Sequence, residues 1–310
     1  MNLRPTVGAI VVTHNRWSCL QRALEGLKRQ TVPLSEVIVV DNASTDETGK
    51  EINSRFPWVN YTRLTENLGG AGGFSAGLRC GHEKGHEWLW VMDDDAVPEP
   101  DALERMIETE VIRKVDTGML ACLVVRPDGE VDQRSRAHWL DMKAFRTKAI
   151  FNGHIPPVEA IECNSATFVG ILVSRAAMDQ IGYPRSDFFI AYDDVEYIHR
   201  ICKAGFKAYQ VPKSKIVHLN AGMEDSPRGG WWLRREGPAT PMWRSYYNWR
   251  NCLYLVRCHS TWLTFARKVG RFSAGVLLRD DNKLARLSVL ARAANDAWSG
   301  QLGQRNVVRR

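Results

Sequence analysis

The sequence predicts an α/β fold with a doubly wound, mostly parallel sheet flanked by helices. In the first 110 residues, four short apolar runs alternate with segments whose apolar residues recur at helical spacing. Most of the runs are continuously apolar, which is typical of strands covered by helices on both faces. Polar residues follow several runs directly, as expected where parallel strands end at one edge of a sheet. Strands and helices that alternate in this way form a parallel sheet.

The first half supplies four strands and four helices. The strands are predicted at residues 7–13, 37–40, 59–64 and 88–92. The helices are predicted at residues 16–30, from 44–47 onward, from 67–77 toward Lys84, and at 99–110. Ser44 or Thr45 is the expected N-cap of the second helix, because a hydroxyl side chain can accept a hydrogen bond from a free backbone N–H.

The pattern becomes less regular after Gly118. Strands are predicted at residues 120–125, 167–174, 208–211 and 215–218, and a helix at 193–204. An irregular surface excursion is expected at 135–157, and a flexible loop rich in Gly, Pro and Arg at 226–241. The C-terminal part is expected to be helical at 243–256 and 263–298.

Composition bounds the class of protein. The 310 residues are 44% hydrophobic and 25% charged, which is typical of a soluble globular protein. There is no run of 18 apolar residues and no secretory signal pattern, so neither a membrane-spanning helix nor export is expected. The seven cysteines are scattered without a CxxC pair, which favours reduced thiols in the cytoplasm over disulfides or a zinc site.

The net charge of +7 lies entirely in the C-terminal tail. Residues 261–310 carry ten Lys or Arg and three Asp. Trp262, Phe265, Val269, Phe272 and Val276 recur there at helical spacing with basic residues between them, which predicts a basic amphipathic helix. It could lie on an anionic membrane surface, pack on the rest of the chain, or pair with a second subunit. No nucleic-acid-binding module is recognised, so no nucleic-acid partner is expected.

An acidic triplet is the most informative motif. Asp93, Asp94 and Asp95 follow the apolar run 88–92 directly. Adjacent carboxylates repel one another, and a cation between them would relieve that repulsion. Oxygen ligands with open positions suit Mg²⁺ or Mn²⁺ bridging a diphosphate. The alternative is a solvated acidic turn.

Two groups of residues are candidates for binding a nucleotide. Thr13 and Asn15 follow the first strand, and Asp41 ends the second, where it could accept hydrogen bonds from a base or ribose. Turn and cap chemistry is the alternative for Asp41. Asn67 precedes a glycine run containing Gly69, Gly70 and Gly72, and these residues are candidates because such a run lets a phosphate approach a helix N-terminus.

The second half supplies candidates for acid–base and metal chemistry. Asp193, Asp194 and Glu196 open a predicted helix, and a carboxylate near a sugar hydroxyl could act as a general base. His218 ends a short strand, where it could be a further metal ligand or a structural histidine. Trp231 and Trp232 lie in the Arg-containing loop at 223–241, which could be a lid over phosphates or an ordinary surface loop.

These motifs together resemble the inverting, nucleotide-sugar-dependent glycosyltransferases of family 2, which have the GT-A fold. The segments 11–16 (VVTHNR) and 37–46 (VIVVDNASTD) are similar to the nucleotide-binding half of that family, and the acidic triplet is similar to its Asp-x-Asp metal motif. The glycine run at 67–77, the segment 192–196 (YDDVE) and the segment 246–251 (YYNWRN) resemble the galactofuranosyltransferase branch. Bacterial rhamnosyltransferases share much of this pattern.

The resemblance implies a role for each matching residue. Asp93, Asp95 and His218 would hold Mn²⁺ or Mg²⁺ against the diphosphate of a UDP-sugar donor, and Asp94 would contact the donor. Asp194 would take the proton of the acceptor hydroxyl, and Asp193 and Glu196 would orient the acceptor. Acceptor or phosphate contacts would come from Trp231, Trp232, Tyr247, Asn248 and Arg250.

The resemblance also implies an activity and a domain organisation. The chain would transfer galactofuranose from UDP-galactofuranose, with inversion, to a lipid-linked cell-surface glycan at the inner face of the membrane. A dTDP-rhamnose-dependent enzyme, an inactive glycan-binding protein of the same fold and, more remotely, a nuclease or phosphatase are the alternatives, and a homo-oligomer stays open. Residues 1–225 would form the catalytic domain, with a nucleotide-binding half at about 1–115 and an acceptor half at about 116–225, and residues 226–310 the lid loop and helical extension.

Overall fold

The computed structural model describes residues 4–151, 154–220, 241–280 and 282–305. Within them the strands are β1 Val7–Thr13, β2 Glu36–Asp41, β3 Asn60–Arg63, β4 Trp88–Asp93, β5 Ala96–Pro98, β6 Thr117–Val125, β7 His138–Asp141, β8 Arg146–Ala149, β9 Ile161–Cys163, β10 Val169–Ser174 and β11 Lys207–His218. The α-helices are α1 Trp17–Lys28, α2 Thr48–Arg55, α3 Gly69–Glu83, α4 Ala102–Ile107, α5 Arg175–Ile181, α6 Asp193–Lys203, α7 Met242–His259, α8 Trp262–Arg279 and α9 Lys283–Ser299.

The first half confirms the predicted parallel α/β arrangement. Strands β3, β2, β1 and β4 lie side by side in that order, and each neighbouring pair is parallel. The predicted N-cap of α2 is wrong: the cap is Glu47, and Ser44 is used elsewhere. The Ser44 hydroxyl accepts a hydrogen bond from the backbone N–H of Asn15, and its own N–H donates to Asp41.

The second half extends this sheet with strands of both directions. The order continues from β4 through β10, β6 and β11 to β5, and β9 also pairs with β11. β10 is antiparallel to both of its neighbours, whereas β11 is parallel to β6. The two short strands predicted at 208–218 are one strand, interrupted by a register shift between Val211 and Lys215. The stretch expected to be irregular at 135–157 contains the hairpin β7–β8.

Two apolar layers cover the sheet. Alternate side chains of β1 point to opposite faces, so Ala9 and Val11 lie in one core cluster and Ile10 and Val12 in the other. Helices α1, α2 and α4 cover the first face, and α3, α5 and α6 cover the second. The sheet is therefore buried on both faces, which is why its strands are continuously apolar.

Glycines on one side of α3 bring this helix close to the sheet. Gly73, Gly77 and Gly81 are four residues apart and therefore lie on one face of the helix. A Cβ at Gly77 would overlap the Ile10 side chain, and one at Gly73 would overlap Val12. The later glycines of this glycine-rich helix thus serve helix–sheet packing and not ligand binding.

The C-terminal helices form their own apolar core. Residues from α7, α8 and α9 pack together, and Trp249 of α7 lies 6.1 Å from Phe272 of α8 between ring centroids. The predicted continuous helix over 263–298 is wrong, because extended Asp280 and left-handed Asn282 separate α8 from α9. No helix among the described residues is both long and apolar enough to cross a membrane.

The apolar stripe predicted on the tail faces inward. Phe265, Val269, Phe272 and Val276 pack against α7 and α9, so of the three alternatives the structure has this stripe packed on the rest of the chain. Trp262 is the exception, with 69% of its surface exposed.

The close packing of α3 gives a prediction for stability. Gly77→Ala is expected to destabilise the fold by about 1–3 kcal/mol, because the added methyl group has no space against Ile10. Gly275→Ala, also within a helix but with no atom within 4 Å of the added Cβ, is expected to be neutral or stabilising by up to about 1 kcal/mol. Urea denaturation of both variants measures the difference, and equal effects would contradict this packing.

Candidate active site

The carboxyl ends of several strands meet at one edge of the sheet. Thr13 and Asp93 end the neighbouring parallel strands β1 and β4, and His218 ends β11, which runs in the same direction. Asp94 and Asp95 form the tight turn between β4 and β5. β5 then pairs with the end of β11, where His218 lies opposite Ala96. The fold thereby brings His218 next to the acidic triplet.

Arg16 compensates two of the three adjacent carboxylates. Its guanidinium donates to Asp94 at 2.9 Å and to Asp95 at 2.8 Å. Asp94 also accepts from the Thr13 hydroxyl at 2.8 Å, and Asp95 from the Asn220 amide at 2.8 Å. Burial nevertheless raises the pKa of Asp94 to about 6. Arg16 and Asn220 were not among the predicted site residues, because their roles depend on contacts between distant segments.

His218 lies between two carboxylates. Its Nε2 atom is 3.6 Å from Asp95 Oδ1, and its Nδ1 atom is 3.2 Å from Asp132 Oδ2. Burial alone would lower the pKa of His218, but the two carboxylates outweigh it and raise the pKa to about 10. In return, the pKa of Asp132 is lowered to about 2 and that of Asp95 is also lowered, although burial opposes both shifts. No sequence signal marked Asp132.

Asp93 is the least compensated carboxylate of the triplet, because the charge of His218 lowers its pKa by less than burial and repulsion raise it. No hydrogen bond reaches its side chain from the described residues, and burial together with repulsion from Asp95 and Asp94 raises its pKa well above the ordinary value. Asp93, Asp95 and His218 supply the oxygen and imidazole donors that Mg²⁺ or Mn²⁺ accept. In the described part of the chain no three such side chains converge on one point. To bind the cation, His218 would have to lose the proton that its raised pKa retains and exchange a carboxylate partner for the metal ion.

A cavity of about 930 Å³ joins the acidic triplet to the second acidic motif. Its wall contains Asp93, Asp95 and His218 from the sheet edge, together with Asp193 and Asp194 from the start of α6. The predicted metal ligands and the predicted base thus face the same space. A volume of this size can hold a sugar and part of an acceptor.

The two aspartates of α6 differ in their surroundings. Burial, followed by repulsion from Asp194, raises the pKa of Asp193 to about 8. Burial also raises the pKa of Asp194, to about 6, and the backbone N–H of Val195, which donates to Asp194 Oδ1 at 2.7 Å, opposes this shift. Both carboxyl groups face the same cavity, and burial holds the pKa of each above the ordinary range for aspartate.

An unusual loop positions these aspartates. Phe189, Ala191 and Tyr192 have φ values of 66°, 68° and 63°, a left-handed conformation that is costly for residues with side chains. The Asn251 amide holds the loop by donating to the carbonyl oxygens of Phe188 at 3.0 Å, Ile190 at 2.9 Å and Ala191 at 2.8 Å. Asn251 belongs to the segment 246–251, but its sequence pattern did not predict this function.

A second cavity of about 550 Å³ adjoins the first. Arg16, Gly70, Asp93 and Ile190 line both cavities. The structure brings five of the predicted nucleotide-binding residues to the second cavity: Thr13, Asn67, Gly69, Gly70 and Asp94. Tyr247 lies there too, whereas Asn15 lines the first cavity.

Asn42 and Gly69 shape the second cavity. The Asn42 amide donates to the Gly69 carbonyl oxygen at 2.7 Å and accepts from the Leu68 N–H at 3.2 Å, which ties the end of β2 to the start of α3. Gly69 has φ +71°, and a Cβ there would overlap the Phe189 carbonyl group. This position therefore requires glycine for a close approach between two protein segments.

Several predicted site residues have other partners. Asp41 is buried and accepts hydrogen bonds from the Tyr61 hydroxyl at 2.6 Å and the Ser44 N–H at 2.8 Å, so it serves turn chemistry. Gly72 packs against Leu68 and lines neither cavity.

Three predicted polar residues on helices line neither cavity. Glu196 pairs with Arg200 at 2.7 Å along α6, away from both cavity walls. Arg250 is fully buried and donates to carbonyl oxygens of Asp187, Phe188 and Gly303. Asn248 is part-buried and lines neither cavity. Trp231 and Trp232 lie outside the described residues.

Comparisons with known proteins agree with this architecture. The family model for Glycosyl transferase family 2 matches residues 9–181. Galactofuranosyltransferase GlfT1 of Mycobacterium tuberculosis is 29% identical over 258 residues, covering 81% of this chain and 82% of that protein. dTDP-rhamnosyl transferase RfbF of Shigella flexneri is 25% identical over 267 residues, covering 82% and 81%.

A solved structure shares the fold. GalNAc-T7, described with UDP, GalNAc and Mn²⁺, matches with a TM-score of 0.62 at 15% identity. The match covers 97% of this chain and 57% of that chain, so the chain spans a little over half the length of GalNAc-T7. At this identity the likeness shows the fold alone.

Proposed function

This chain belongs to glycosyl transferase family 2, and we propose that it is an inverting enzyme that transfers galactofuranose from UDP-galactofuranose to a hydroxyl of a cell-surface glycan. The observation that carries the proposal is the shared cavity. It holds Asp93, Asp95 and His218 on one wall and Asp194 on another. Such a site can bind a leaving diphosphate and activate an attacking hydroxyl together.

Asp93, Asp95 and His218 would hold Mn²⁺ or Mg²⁺. The cation, when bound, would neutralise the charge of the departing nucleotide diphosphate. Asp93 suits this role because it lies at the edge of the sheet and its carboxylate accepts no hydrogen bond from the described side chains. Arg16 keeps Asp94 and Asp95 in place through its two ion pairs, and so supports the site without a cation.

Asp194 would be the base. Its pKa of about 6 keeps it ionised at neutral pH while leaving it basic enough to accept a proton from a hydroxyl as that oxygen attacks the anomeric carbon. Attack from the side opposite the leaving diphosphate inverts the anomeric centre. Asp193, protonated at neutral pH, could donate a hydrogen bond to the acceptor and orient it.

The nucleotide would occupy the second cavity. Its wall combines Thr13, Asn67, Gly70 and Asp94, and it meets the first cavity at Asp93. Galactofuranose is favoured by the likeness to GlfT1 over most of the chain. The likeness to RfbF favours dTDP-rhamnose as the second candidate. The intact set of Asp93, Asp95, Asp194 and His218 argues against an inactive glycan-binding protein.

We also propose that the acceptor is lipid-linked and that α8 meets an anionic membrane surface. The exposed side of α8 carries Leu263, Leu277 and Leu278, with Leu278 76% exposed, and Arg267 lies on the same side. This is a different side of the helix from the inward-facing apolar stripe. Exposed leucines with an interspersed cation suit the boundary between lipid headgroups and acyl chains.

The mechanism predicts the effect of removing the base. Asp194→Asn is expected to lower sugar transfer by about 100- to 10,000-fold, because the amide cannot accept the proton. Asp116→Asn, a carboxylate paired with Lys207 at 3.5 Å, serves as the matched control and should retain activity. Transfer of labelled sugar from UDP-galactofuranose and from dTDP-rhamnose to alkyl glycosides is the measurement.

The same assay tests the pH dependence of this base. Because a base must be unprotonated, transfer by the wild type should fall as the pH drops through about 6, the pKa of Asp194.

A variant Asp194→Asn with wild-type activity would contradict this mechanism. Metal-dependent hydrolysis of phosphate esters without any acceptor would instead support a nuclease or phosphatase.

The membrane proposal predicts selective vesicle binding. The double variant Leu277→Ser with Leu278→Ser should lose about tenfold or more in sedimentation with vesicles rich in phosphatidylglycerol, because two exposed apolar side chains are removed. Val115→Ser, which changes a residue that is 94% exposed outside α8, should bind as the wild type does. Equal binding by all three proteins would contradict a role for α8.

A further inference from the structure

The C-terminal segment 301–305 forms part of the wall of the second cavity. Gly303 donates to the Asp187 carbonyl oxygen at 2.6 Å, and its own carbonyl oxygen accepts from Arg250 at 2.6 Å. The N–H of Arg305 donates to the Tyr247 hydroxyl at 2.8 Å. These contacts fix the segment between α7 and the loop that precedes the aspartates of α6. Gln304 and Arg305 thereby line the cavity.

The guanidinium of Arg305 has no carboxylate partner among the described residues. Its guanidinium donates to the Gln301 side-chain oxygen at 2.7 Å, and it takes part in no ion pair within the described part of the chain. The other arginine lining this cavity, Arg16, is committed to Asp94 and Asp95. Arg305 is half-buried, so its charge is only partly screened by solvent.

The acidic residues of the second cavity favour a positively charged side chain in its wall. Asp93 and Asp94 both line it, and a cation held by Asp93 would offset only part of the repulsion between these carboxylates and a nucleotide diphosphate. A planar guanidinium can bind phosphate oxygens through two parallel hydrogen bonds, which a neutral ribose or base does not require. Arg305 is the arginine of this cavity that has no carboxylate partner among the described residues.

We propose that Arg305 binds the diphosphate of the nucleotide sugar, so that the C-terminal segment completes the donor site. This inference rests on the proposed function, because it takes the second cavity as the nucleotide site. It extends the donor site beyond residues 9–181, the part matched by the family. It also gives the C-terminal helices a role in placing a donor-binding residue.

Titration calorimetry with UDP, with dTDP and with uridine, each with Mn²⁺, tests this assignment. Arg305→Ala should weaken UDP binding by about tenfold or more and uridine binding by less than about twofold, because uridine carries no diphosphate. Arg305→Lys should recover part of the loss, since it restores the charge without the planar fork. Lys283→Ala, an exposed cation at the start of α9, is the control and should bind as the wild type does. Thermal unfolding checks that each variant folds.

Three results would overturn the proposal. If Arg305→Ala binds UDP as tightly as the wild type, Arg305 is not a donor contact, although the proposed function stands. An equal loss for UDP and uridine would mean that Arg305 does not act on the diphosphate. If the wild type binds neither UDP nor dTDP, the proposed function itself fails and this inference fails with it.

Discussion

The crowding of carboxylates at one edge of the sheet is the constraint on which the rest of the site depends. Asp93, Asp94 and Asp95 are adjacent in the chain, and their burial and mutual repulsion would be costly without compensation. Arg16 and His218 pair with Asp94 and Asp95, whereas Asp93 receives no hydrogen bond from the described residues and is only partly compensated by the charge of His218. The fold therefore accommodates three adjacent carboxylates, and the pKa of Asp93 stays well above its ordinary value.

The C-terminal helices act on the active site from a distance. Asn251 and Arg250 of α7 donate to backbone carbonyl oxygens of the loop before Asp193, and so hold three residues in a left-handed conformation. Strain of this kind persists only where surrounding contacts fix it. The segment 246–251, from which acceptor or phosphate contacts were expected, thus helps to position Asp193 and Asp194.

Features that depend on local sequence could be predicted. The strand Val7–Thr13 was predicted to the residue, because a continuous apolar run bounded by polar residues has one interpretation in an α/β chain. The acidic triplet was located for the same reason, because it follows such a run directly. The start of α6 was predicted at Asp193, where the helix begins. The glycine run was harder, since close packing on Val12 and Ile10 requires the same residues as a phosphate-binding turn.

Features that depend on contacts between distant segments could not be predicted. Asp132 pairs with His218 across 86 residues, and Asn251 bonds to Ala191 across 60. Arg305 lies in a short segment with no periodic pattern, and its place in the cavity wall follows only from its bonds to α7. A single sequence contains no local signal for such pairs, because the residues meet only after the sheet and helices have formed.

The acidic edge of the sheet is proposed to bind a nucleotide diphosphate through a divalent cation. Binding of UDP and dTDP to the wild type and to Asp95→Ala, each with and without Mn²⁺, tests it most directly. Mn²⁺ should strengthen UDP binding, UDP should bind more tightly than dTDP, and the substitution should remove the effect of Mn²⁺. Binding of both nucleotides that is unaffected by Mn²⁺ or by the substitution would contradict it.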